Sequence, residues 1–432
     1  MLIRLFTAVT LLIAAGPAFA DEYYVSAARG KGKTGSKEEP ARDLGIISDK
    51  LKPGDSVHIA AGSYYGISES GVDEVKVPVR IIGGYSEDFS KRDPWGEFKT
   101  IFAGKNKSDN FSPKARLTVG DRKLKVDGKS EILVDGIIFD NGERNGYTDE
   151  TSLKITRTFS PKTKTNIAPD SAGLFLDPPA GCEVTIVNCV VANCAPHHKQ
   201  GAMKIYGGRA CKIAVRNNLV INNTGSGIYL NSWHQPRDGK DQPEFLVENN
   251  TVLFTWKYDA MSTDCGSALK TESSVVATVR NNVFGFSDAY GFDNVGRAKI
   301  VLLQDNLFCA SLIAPYLEFN TKMKLELVEE ESKFIDSAKG NVKEEILAPV
   351  PEEWARHYAA RVIIDRAVAE AAVEPLDNWQ NQVRKMLGLP LQGTDIADKS
   401  DVWLPRLATD AALKCGEKKQ KDKYGCEKPA AK

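Results

Sequence analysis

The sequence lacks an excess of charge of either sign, and it lacks any long hydrophobic run after its first fifteen residues. Its 432 residues contain 57 lysines and arginines against 57 aspartates and glutamates. Proteins that bind nucleic acid usually need a clearly basic surface, so this balance argues against such a partner. No later segment approaches the ~20 apolar residues that span a bilayer. We therefore predict no nucleic-acid partner and no transmembrane segment.

Residues 1–20 have the pattern of an export signal. Arg4 precedes an apolar run from Leu5 to Ala15, and Ala18-Phe19-Ala20 has the small-x-small pattern of a cleavage site. We predict that this segment is a signal peptide and that the mature chain begins at Asp21. The protein would then be secreted or periplasmic, with association with the cell surface as an open alternative.

Helical periodicity is also scarce between residues 170 and 320, where a strand pattern recurs instead. Each copy has a short alternating strand, a polar pair and a second short strand, and the copies are residues 183–194, 212–223, 244–255, 276–287 and 300–311. The pairs begin at Asn188, Asn217, Asn249, Asn281 and Asp305, which are 29, 32, 32 and 24 residues apart. A third short strand after a small residue recurs between them, in residues 172–177, 201–206, 226–231, 266–271 and 314–319. Three strands per repeat of this length indicate a solenoid of stacked coils.

The asparagine pairs have a physical explanation in such a solenoid. Asparagine tolerates the left-handed backbone conformation, which lets a strand turn a sharp corner. Stacked coil on coil, its side-chain amide can also form hydrogen bonds along the stack. An antiparallel sandwich with asparagine turns is the alternative, but it does not explain the fixed order of three strand types. We therefore interpret the pairs as the corners of a prism.

From about Tyr23 to Asn320, the chain resembles the right-handed parallel β-helix proteins of the pectin-lyase-like superfamily. The repeats carry this resemblance, together with a first coil in residues 23–66 and a short amphipathic helix around residues 41–51. The resemblance implies an all-β fold, a right-handed parallel β-helix whose open N-terminal end is covered by that helix. Because the superfamily includes lyases, hydrolases, epimerases and non-catalytic surface proteins, it does not select an activity.

The pattern changes after Asn320 and defines the rest of the chain. We assign residues 21–320 to the β-helix, 321–350 to a linker with a last partial coil, 351–413 to a helical C-terminal cap and 414–432 to a disordered Lys-rich tail. Amphipathic patterns in residues 351–372 and 375–389 predict two helices, which would cover the unpaired strand edges at the open end of the solenoid. Binding of a partner is the alternative role for these helices.

Eight cysteines in an exported chain suggest disulfides. Aligning two repeats on their polar pairs places Cys182 opposite Cys211, ~4.8 Å away and within the reach of a disulfide. We predict this bridge and a second one between Cys415 and Cys426. Burial as small apolar residues is the alternative for the first pair. The pattern gives no pairing for the other four cysteines, Cys189, Cys194, Cys265 and Cys309.

The outward side chains of the third strand type predict a cleft. Long polar loops at residues 231–243 and 256–266 flank these strands. We predict that substrate-binding residues from the strands and loops are Tyr206, Tyr229, Asn231, Trp233, His234, Trp256 and Glu272. At the last such strand the same alternation assigns Glu318 outward, with Leu317 and Phe319 inward.

Aromatic and cationic side chains in a cleft point to an acidic polysaccharide, because rings pack on sugar faces and cations bind carboxylates. Enzymes of the superfamily usually place substrate on the same face. If a uronate is cleaved, the expected chemistry is β-elimination, with Lys204 or Lys270 as the base. Ca²⁺ is then the candidate cofactor, with Asp177, Asp264, Asp293 and also Glu272 as ligands or, in a hydrolase, as paired acids. The alternative is a non-catalytic structural, adhesive or periplasmic accessory protein. We predict a monomer.

Overall fold

A computed structural model describes residues 20–68, 71–104, 115–126, 130–141, 170–196, 200–236, 239–256, 265–311, 313–344, 379–391 and 424–432. The signal peptide predicted in residues 1–20 lies outside this range except for Ala20. None of the helices in the described part of the chain has the length and apolar character that a membrane crossing needs.

Three long sheets run side by side along the molecule, and successive strands of the chain visit them in turn. Sheet A is parallel throughout, in the order β1 (Glu22–Val25), β2 (Ser56–Ala60), β5 (Arg80–Tyr85), β8 (Glu131–Asp135), β12 (Glu183–Val187), β16 (Lys212–Arg216), β19 (Glu244–Glu248), β22 (Val276–Arg280), β25 (Lys299–Gln304) and β29 (Ala338–Lys339). Sheet B is also parallel, in the order β3 (Gly62–Tyr64), β6 (Thr100–Ala103), β9 (Ile137–Asp140), β13 (Val190–Ala192), β17 (Leu219–Thr224), β20 (Thr251–Trp256), β23 (Val283–Ser287), β26 (Leu307–Cys309) and β30 (Val342–Glu344).

Sheet C completes each coil and is parallel except for its last pair. Its order is β4 (Asp73–Val75), β7 (Leu117–Val119), β11 (Leu174–Leu176), β15 (Gly201–Gly207), β18 (Ser226–Ser232), β21 (Ser267–Thr271), β24 (Tyr290–Asn294), β27 (Ala314–Glu318) and β28 (Thr321–Met323). A separate antiparallel pair joins β10 (Asp170–Ser171) to β14 (Ala195–Pro196). The predicted right-handed parallel β-helix is confirmed.

Inward side chains of the three sheets fill one continuous apolar core. On sheet A, for example, Val184, Ile213 and Phe245 lie at equivalent positions of successive strands, and all three are buried in this core. Each strand alternates such an inward residue with an outward one, as the two-residue period of a strand requires. The core therefore contains the inward residues that the strand alternation in the sequence predicts.

The asparagine pairs are corners between sheets A and B, as predicted. The first residue of each pair has a left-handed backbone, with φ of 54° at Asn188, 52° at Asn217 and 56° at Asn281. The second residue is buried, and these amides form one ladder along the stack. Its hydrogen bonds run from Asn218 to Asn250 (2.9 Å), from Asn250 to Asn282 (3.0 Å), from Asn282 to Asn306 (2.9 Å) and from Asn306 to Asn341 (2.9 Å).

The last strand of the third type has the opposite register to the predicted one. Phe292 pairs with Tyr316 and Asp293 pairs with Leu317, so Tyr316 is the inward residue and Leu317 lies on the outward row. Phe319 is 42% exposed instead of inward. The prediction was wrong because the strand alignment was shifted by one residue, which exchanges the two faces of a strand.

Short segments cover the two ends of the core. At the N-terminal end, two 3-10 helices, Leu44–Ile46 and Ser48–Lys50, replace the predicted amphipathic helix, and they place Leu44 in the core. At the other end, helix α1 (Leu325–Glu331) buries Val328 in the core and contacts β27 and β29. This cap lies within residues 321–350, which the sequence assigned to a linker.

The described part of the predicted C-terminal cap lies on the side of the solenoid. Helix α2 (Trp379–Leu387) contacts β17, and Val383 packs on the outer face of sheet B. Arg384 donates hydrogen bonds to both carboxylate oxygens of Asp140 in β9, at 2.6 and 3.1 Å. Residues 351–378 and 392–413 lie outside the described residues. The described part, residues 379–391, thus packs on sheet B, and the role of the C-terminal helices as a cover for the open end of the solenoid stays a prediction.

Residues 424–432 form a strap along the corner of sheets A and B, so the prediction of disorder is wrong for this part of the tail, while residues 414–423 lie outside the described residues. Gly425 N donates to Asn281 O at 2.8 Å, and Glu427 exchanges two hydrogen bonds with the Asn217 side chain. At the chain end, Lys432 and Arg92 exchange two backbone hydrogen bonds of 2.7 Å. These contacts connect the tail to coils far apart in sequence.

The cysteine alignment is confirmed, and the disulfides stay predictions. Glu183 pairs with Lys212, so Cys182 lies opposite Cys211 as predicted. Both thiols are free in the structure, with Cys182 Sγ 3.6 Å from Glu183 O and Cys211 Sγ 3.2 Å from Pro179 O. Cys426 is also a free thiol, and its predicted partner Cys415 lies outside the described residues.

Candidate functional site

The outer face of sheet C carries a row of side chains from consecutive strands. Backbone pairing aligns them in the order Glu74, Thr118, Phe175, Lys204, Tyr229, Lys270 and Asp293. A second row, two residues further along each strand, includes Asp177, Tyr206 and Asn231. The rows bring the predicted Lys204, Tyr206, Tyr229 and Asn231 together on one face.

A cavity of about 310 Å³ opens on the early strands of this face. Its lining residues are Glu74, Val75, Lys76, Ala115, Thr118, Gly120, Asp121, Ala172, Phe175, Asp177 and Lys204. Gly120 contributes to the depression because it has no side chain and a φ of 92°. A Cβ at this position would lie 2.7 Å from the backbone oxygen of Asp177, so a larger residue does not fit there without movement.

Trp233 stands beside the cavity and is held on both sides. Its Nε1 donates a hydrogen bond of 2.7 Å to Asp177 Oδ1, and the guanidinium carbon of Arg122 lies 3.6 Å from the centre of the Trp233 ring. The Tyr206 ring meets it edge-on, with ring centres 4.4 Å apart. Even so, 46% of Trp233 is exposed to solvent. The ring is therefore both fixed in position and accessible.

Burial raises the pKa of Asp177 above its ordinary value, while the Trp233 hydrogen bond and the charge of Arg122 partly oppose the shift. Desolvation penalises the charged carboxylate, which explains the direction. Asp177 thus retains its proton to a higher pH than an exposed aspartate. The carboxyl group nevertheless accepts the hydrogen bond that orients Trp233.

Lys204 lies between two aromatic rings on the same face. Its Nζ is 4.6 Å from the centre of the Phe175 ring and 5.1 Å from that of Tyr206. The two rings are themselves packed edge-on at 5.3 Å. A cation over an aromatic face is stabilised by the ring quadrupole. These contacts therefore hold the ammonium group on the outer face of sheet C, where it lines the cavity.

On the later strands of this face, the outward side chains are buried and interact with one another. Tyr229 donates to Glu272 Oε1 at 3.3 Å and accepts from Asn231 Nδ2 at 3.2 Å. Burial and the nearby Glu272 carboxylate raise the pKa of Tyr229 well above its ordinary value. Lys270 is 3% exposed and forms an ion pair with Asp293, with Nζ 3.8 Å from Oδ2. Lys270 is thus a buried member of the row.

Two of the residues predicted to bind substrate from loops, His234 and Trp256, lie in different places. His234 follows Trp233 in the loop after β18, where its Nε2 lies 3.2 Å from Lys240 O. Trp256 is instead buried on the side of sheet B, beside Phe254, and donates to Asn222 Oδ1 at 2.7 Å. Phe254 has a φ of 53°, and this left-handed residue redirects the chain at the end of β20, so that Trp256 belongs to the sheet B side and not to a loop beside sheet C. The prediction that Trp256 lines the cleft is wrong.

The predicted calcium ligands do not come together. Asp177 is at the end of β11 and Asp293 is in β24, four strands and ~19 Å away. Asp264 lies outside the described residues. Within the described ranges, no three His, Cys, Asp or Glu side chains form a group that could hold a metal ion. The donor set present therefore does not fit the predicted Ca²⁺ site.

Sequence reasoning missed the residues that form the early side of the cavity. Glu74 and Lys76 come from β4 and its end, and Thr118 comes from β7. Arg122, which packs on Trp233 beside the cavity, follows β7. The coil that follows β8 turns at Gly136, with a φ of 70°, where later coils have asparagine. A search for asparagine pairs could not find these coils, although a glycine at the same corner was the available signal.

No protein-family model and no curated protein sequence matches this chain. Solved structures that it resembles include a pectate lyase, Pel9A, which is 12% identical, with 87% of this chain and 88% of that chain covered and a TM-score of 0.37. The GH136 lacto-N-biosidase from Eubacterium ramulus is 9% identical, with 70% and 68% covered and a TM-score of 0.22. A rhamnogalacturonan lyase is 11% identical, with 94% and 100% covered and a TM-score of 0.19. Similarities this remote carry no argument about activity, so the function has to be argued from this chain's own residues.

Proposed function

We propose that this protein binds an acidic polysaccharide in the sheet C pocket, which we define as the cavity together with Lys204, Tyr206, Trp233 and Arg122. The observation that carries the proposal is Trp233, an exposed ring held by Asp177 and Arg122 beside a cavity of about 310 Å³. An exposed aromatic side chain that is fixed on both sides is typical of a binding surface, since little further ordering is needed when a ligand packs on it.

The chemistry around Trp233 supports an acidic sugar. Aromatic rings such as Trp233 and Phe175 offer apolar faces on which sugar rings pack. Lys204, Lys76 and Arg122 offer cationic donors for carboxylates, and Arg122 can bind a carboxylate through two parallel hydrogen bonds. Carboxylates of Glu74 and Asp121 can accept hydrogen bonds from sugar hydroxyls. The export signal predicted in residues 1–20 would place this ligand outside the cytoplasm.

Binding is better supported than β-elimination. A general base must lie within hydrogen-bond reach of the proton that it removes, and Lys204 Nζ is instead held over the rings of Phe175 and Tyr206, at 4.6 and 5.1 Å from their centres. Lys270, the other candidate base, is 3% exposed and paired with Asp293. Lys270 is thus withdrawn from the cavity, whereas Lys204 lines it and can bind a carboxylate there.

The test is a panel of uronic-acid polymers, including polygalacturonate, alginate and hyaluronan, assayed for binding by calorimetry. The same mixtures are followed by ultraviolet absorbance for unsaturated products. We expect at least one polymer to bind without forming such products. Lys204→Ala should then weaken binding about tenfold, and the loss should be larger at low salt because the contact is electrostatic.

The matched control is Lys212→Ala, which removes an exposed strand lysine from sheet A. This variant should bind as the wild type does. Unsaturated products that disappear in Lys204→Ala would contradict the binding proposal in favour of a lyase. If the wild type binds no polymer of the panel, the proposed function is wrong.

A further inference from the structure

On the outer face of sheet C, the described side chains are partly exposed around a cavity at the early strands and buried at the later strands. Phe175 and Lys204, on β11 and β15, are half-buried and line the cavity. On the next strands of the same row, Tyr229 is 5% exposed, Lys270 is 3% exposed and Asp293 is 1% exposed. The strand of Lys270 is two steps from that of Lys204, so the face closes within ~10 Å.

The closed part is held by packing as well as by hydrogen bonds. Ala289, Tyr290, Ala314 and Leu317 form a buried apolar cluster beyond Lys270, and Val295 and Ile313 pack against it. Nearer the cavity, the hydrogen bonds of Tyr229 to Glu272 and Asn231 fix the ring at the boundary. A polymer lying along all the strands of sheet C would have to open this cluster and expose its apolar surface, which is unfavourable.

We infer that the sheet C pocket recognises the end of a polysaccharide chain and not its interior. This inference rests on the proposed function. A chain that enters from the early strands meets the fixed ring of Tyr229 and stops there. The cavity is at the small end of the range for ligand pockets, which leaves room for about one or two sugar rings.

The polar lining suits a terminal sugar. A residue at the end of a chain has a free hydroxyl where an internal residue has a glycosidic bond. Glu74 and Asp121 supply acceptors for such a hydroxyl, while Lys204 supplies a donor for the carboxylate of the same sugar. The pocket thus combines groups that distinguish an end from an internal unit.

The first test compares oligomers of defined length, from disaccharide to octasaccharide, cut from the polymer that binds in the panel. We expect the dissociation constant to stop improving by the trisaccharide. We also expect one protein to bind each end of one type, whatever the chain length, as measured by light scattering of the complexes. Reduction of the reducing end, or replacement of the opposite terminal sugar by its 4,5-unsaturated form in oligomers cut by a lyase instead of a hydrolase, should weaken binding at least about tenfold for one end only.

The second test fills the pocket. Thr118→Trp places a large ring at the middle of the cavity floor and should weaken the binding of oligomers and polymer equally, by about tenfold or more. The matched control is Thr185→Trp, because Thr185 is likewise a half-buried outward threonine in the middle of a parallel strand, but on sheet A. Both variants should have the same melting behaviour, and the control should bind as the wild type does.

Three results would overturn the inference while leaving the proposed function intact. They are an affinity that keeps rising with length, several proteins on one chain, and binding that is indifferent to both end modifications. Any of these means that the polymer crosses the pocket instead of ending in it. An absence of all binding by the wild type contradicts the proposed function itself, so the two failures are distinguishable.

Discussion

The outer faces of sheets B and C are built on the same coils, but their side chains differ in kind. On sheet B the outward residues are apolar, such as Ile221, Leu253 and Val283, and they pack with Val383, Leu389 and Tyr424 from the C-terminal segments. The early strands of sheet C instead present Glu74, Phe175 and Lys204 around a cavity. Within the described residues, the outward apolar row is thus covered by the chain itself, whereas the mixed row of rings and charges borders a cavity.

The C-terminal segments that cover sheet B are also joined to it by polar contacts. Asp140 accepts two hydrogen bonds from Arg384 and a third from Asn193 Nδ2 at 2.9 Å. A second series of side-chain hydrogen bonds continues from Asn193 to Asn222 and on to Trp256. Arg384 and Asp140 are both buried, so each charge is stabilised by the other in place of water. Sheet B is therefore a structural face, and its variants should affect stability more than binding.

The largest expected effect comes from breaking this buried ion pair. Asp140→Ala leaves the Arg384 guanidinium buried without its carboxylate, and removal of one partner of a buried pair costs ~3–5 kcal/mol. We expect a loss of that order in the free energy of unfolding, measured by urea denaturation, with unchanged polysaccharide binding per folded molecule.

Arg209→Ala is the control for this experiment. It breaks the pair between Arg209 and Asp241, whose side chains are 66% and 45% exposed, and surface pairs contribute ~0–1 kcal/mol. Equal losses in the two variants would show that the C-terminal cover does not hold Asp140 in a buried environment.

The next prediction compares the loss of stability on truncating two leucines that lie on opposite faces of their strands. Leu230 points into the core and Leu253 points outward on sheet B, yet both are buried. If the cover on sheet B is as well packed as the core, Leu253→Ala and Leu230→Ala should each lower the free energy of unfolding by ~2–5 kcal/mol. A loss below ~1 kcal/mol for Leu253→Ala alone would mean that the cover is loosely attached.

The comparison also explains what could be predicted from the sequence. Local rules determine the solenoid, because strand alternation and left-handed asparagines such as Asn217 act within one coil. The strap could not be predicted, since Glu427 meets Asn217 and Lys432 meets Arg92 across most of the chain. The pocket was predicted only in part: its later residues lie on asparagine-marked coils, and its early residues lie on coils that this signal does not mark.

A smaller effect concerns the pH dependence of the open face. The pKa of Asp177 is raised by burial, so the folded state favours its protonated form. Its stabilising contribution is therefore complete below the ordinary pKa and is lost as the pH rises through the raised value. At neutral pH the ionised group is unfavourable. Asp177→Asn keeps the acceptor for Trp233 Nε1 but carries no charge, so we expect this variant to be more stable than the wild type at neutral pH.

The measurement is the urea midpoint at neutral pH and near ~pH 3, below the ordinary aspartate pKa, where the difference between the two proteins should disappear. The variant should also bind an acidic polymer more tightly at neutral pH, because one negative charge has left the pocket. Asp241→Asn is the control, since it changes an exposed aspartate and should give no such gain. A less stable Asp177→Asn protein at neutral pH would contradict the assigned direction.

The smallest expected effect on stability comes from truncating two exposed aromatic rings on sheet C and its loops. The same two variants also test whether ligand binds at the early strands of this sheet. Trp233 is 46% exposed beneath Arg122, and Phe319 is 42% exposed beneath Arg297, with 3.6 Å from guanidinium carbon to ring centre in both cases. Truncation of either ring to alanine should change the free energy of unfolding by less than ~1 kcal/mol, since neither ring is in the core. Only Trp233→Ala should weaken polysaccharide binding, by about tenfold, because only Trp233 borders the open cavity. If Phe319→Ala weakens binding as much, the ligand extends over the closed strands, and if neither variant does, the ligand binds on another face.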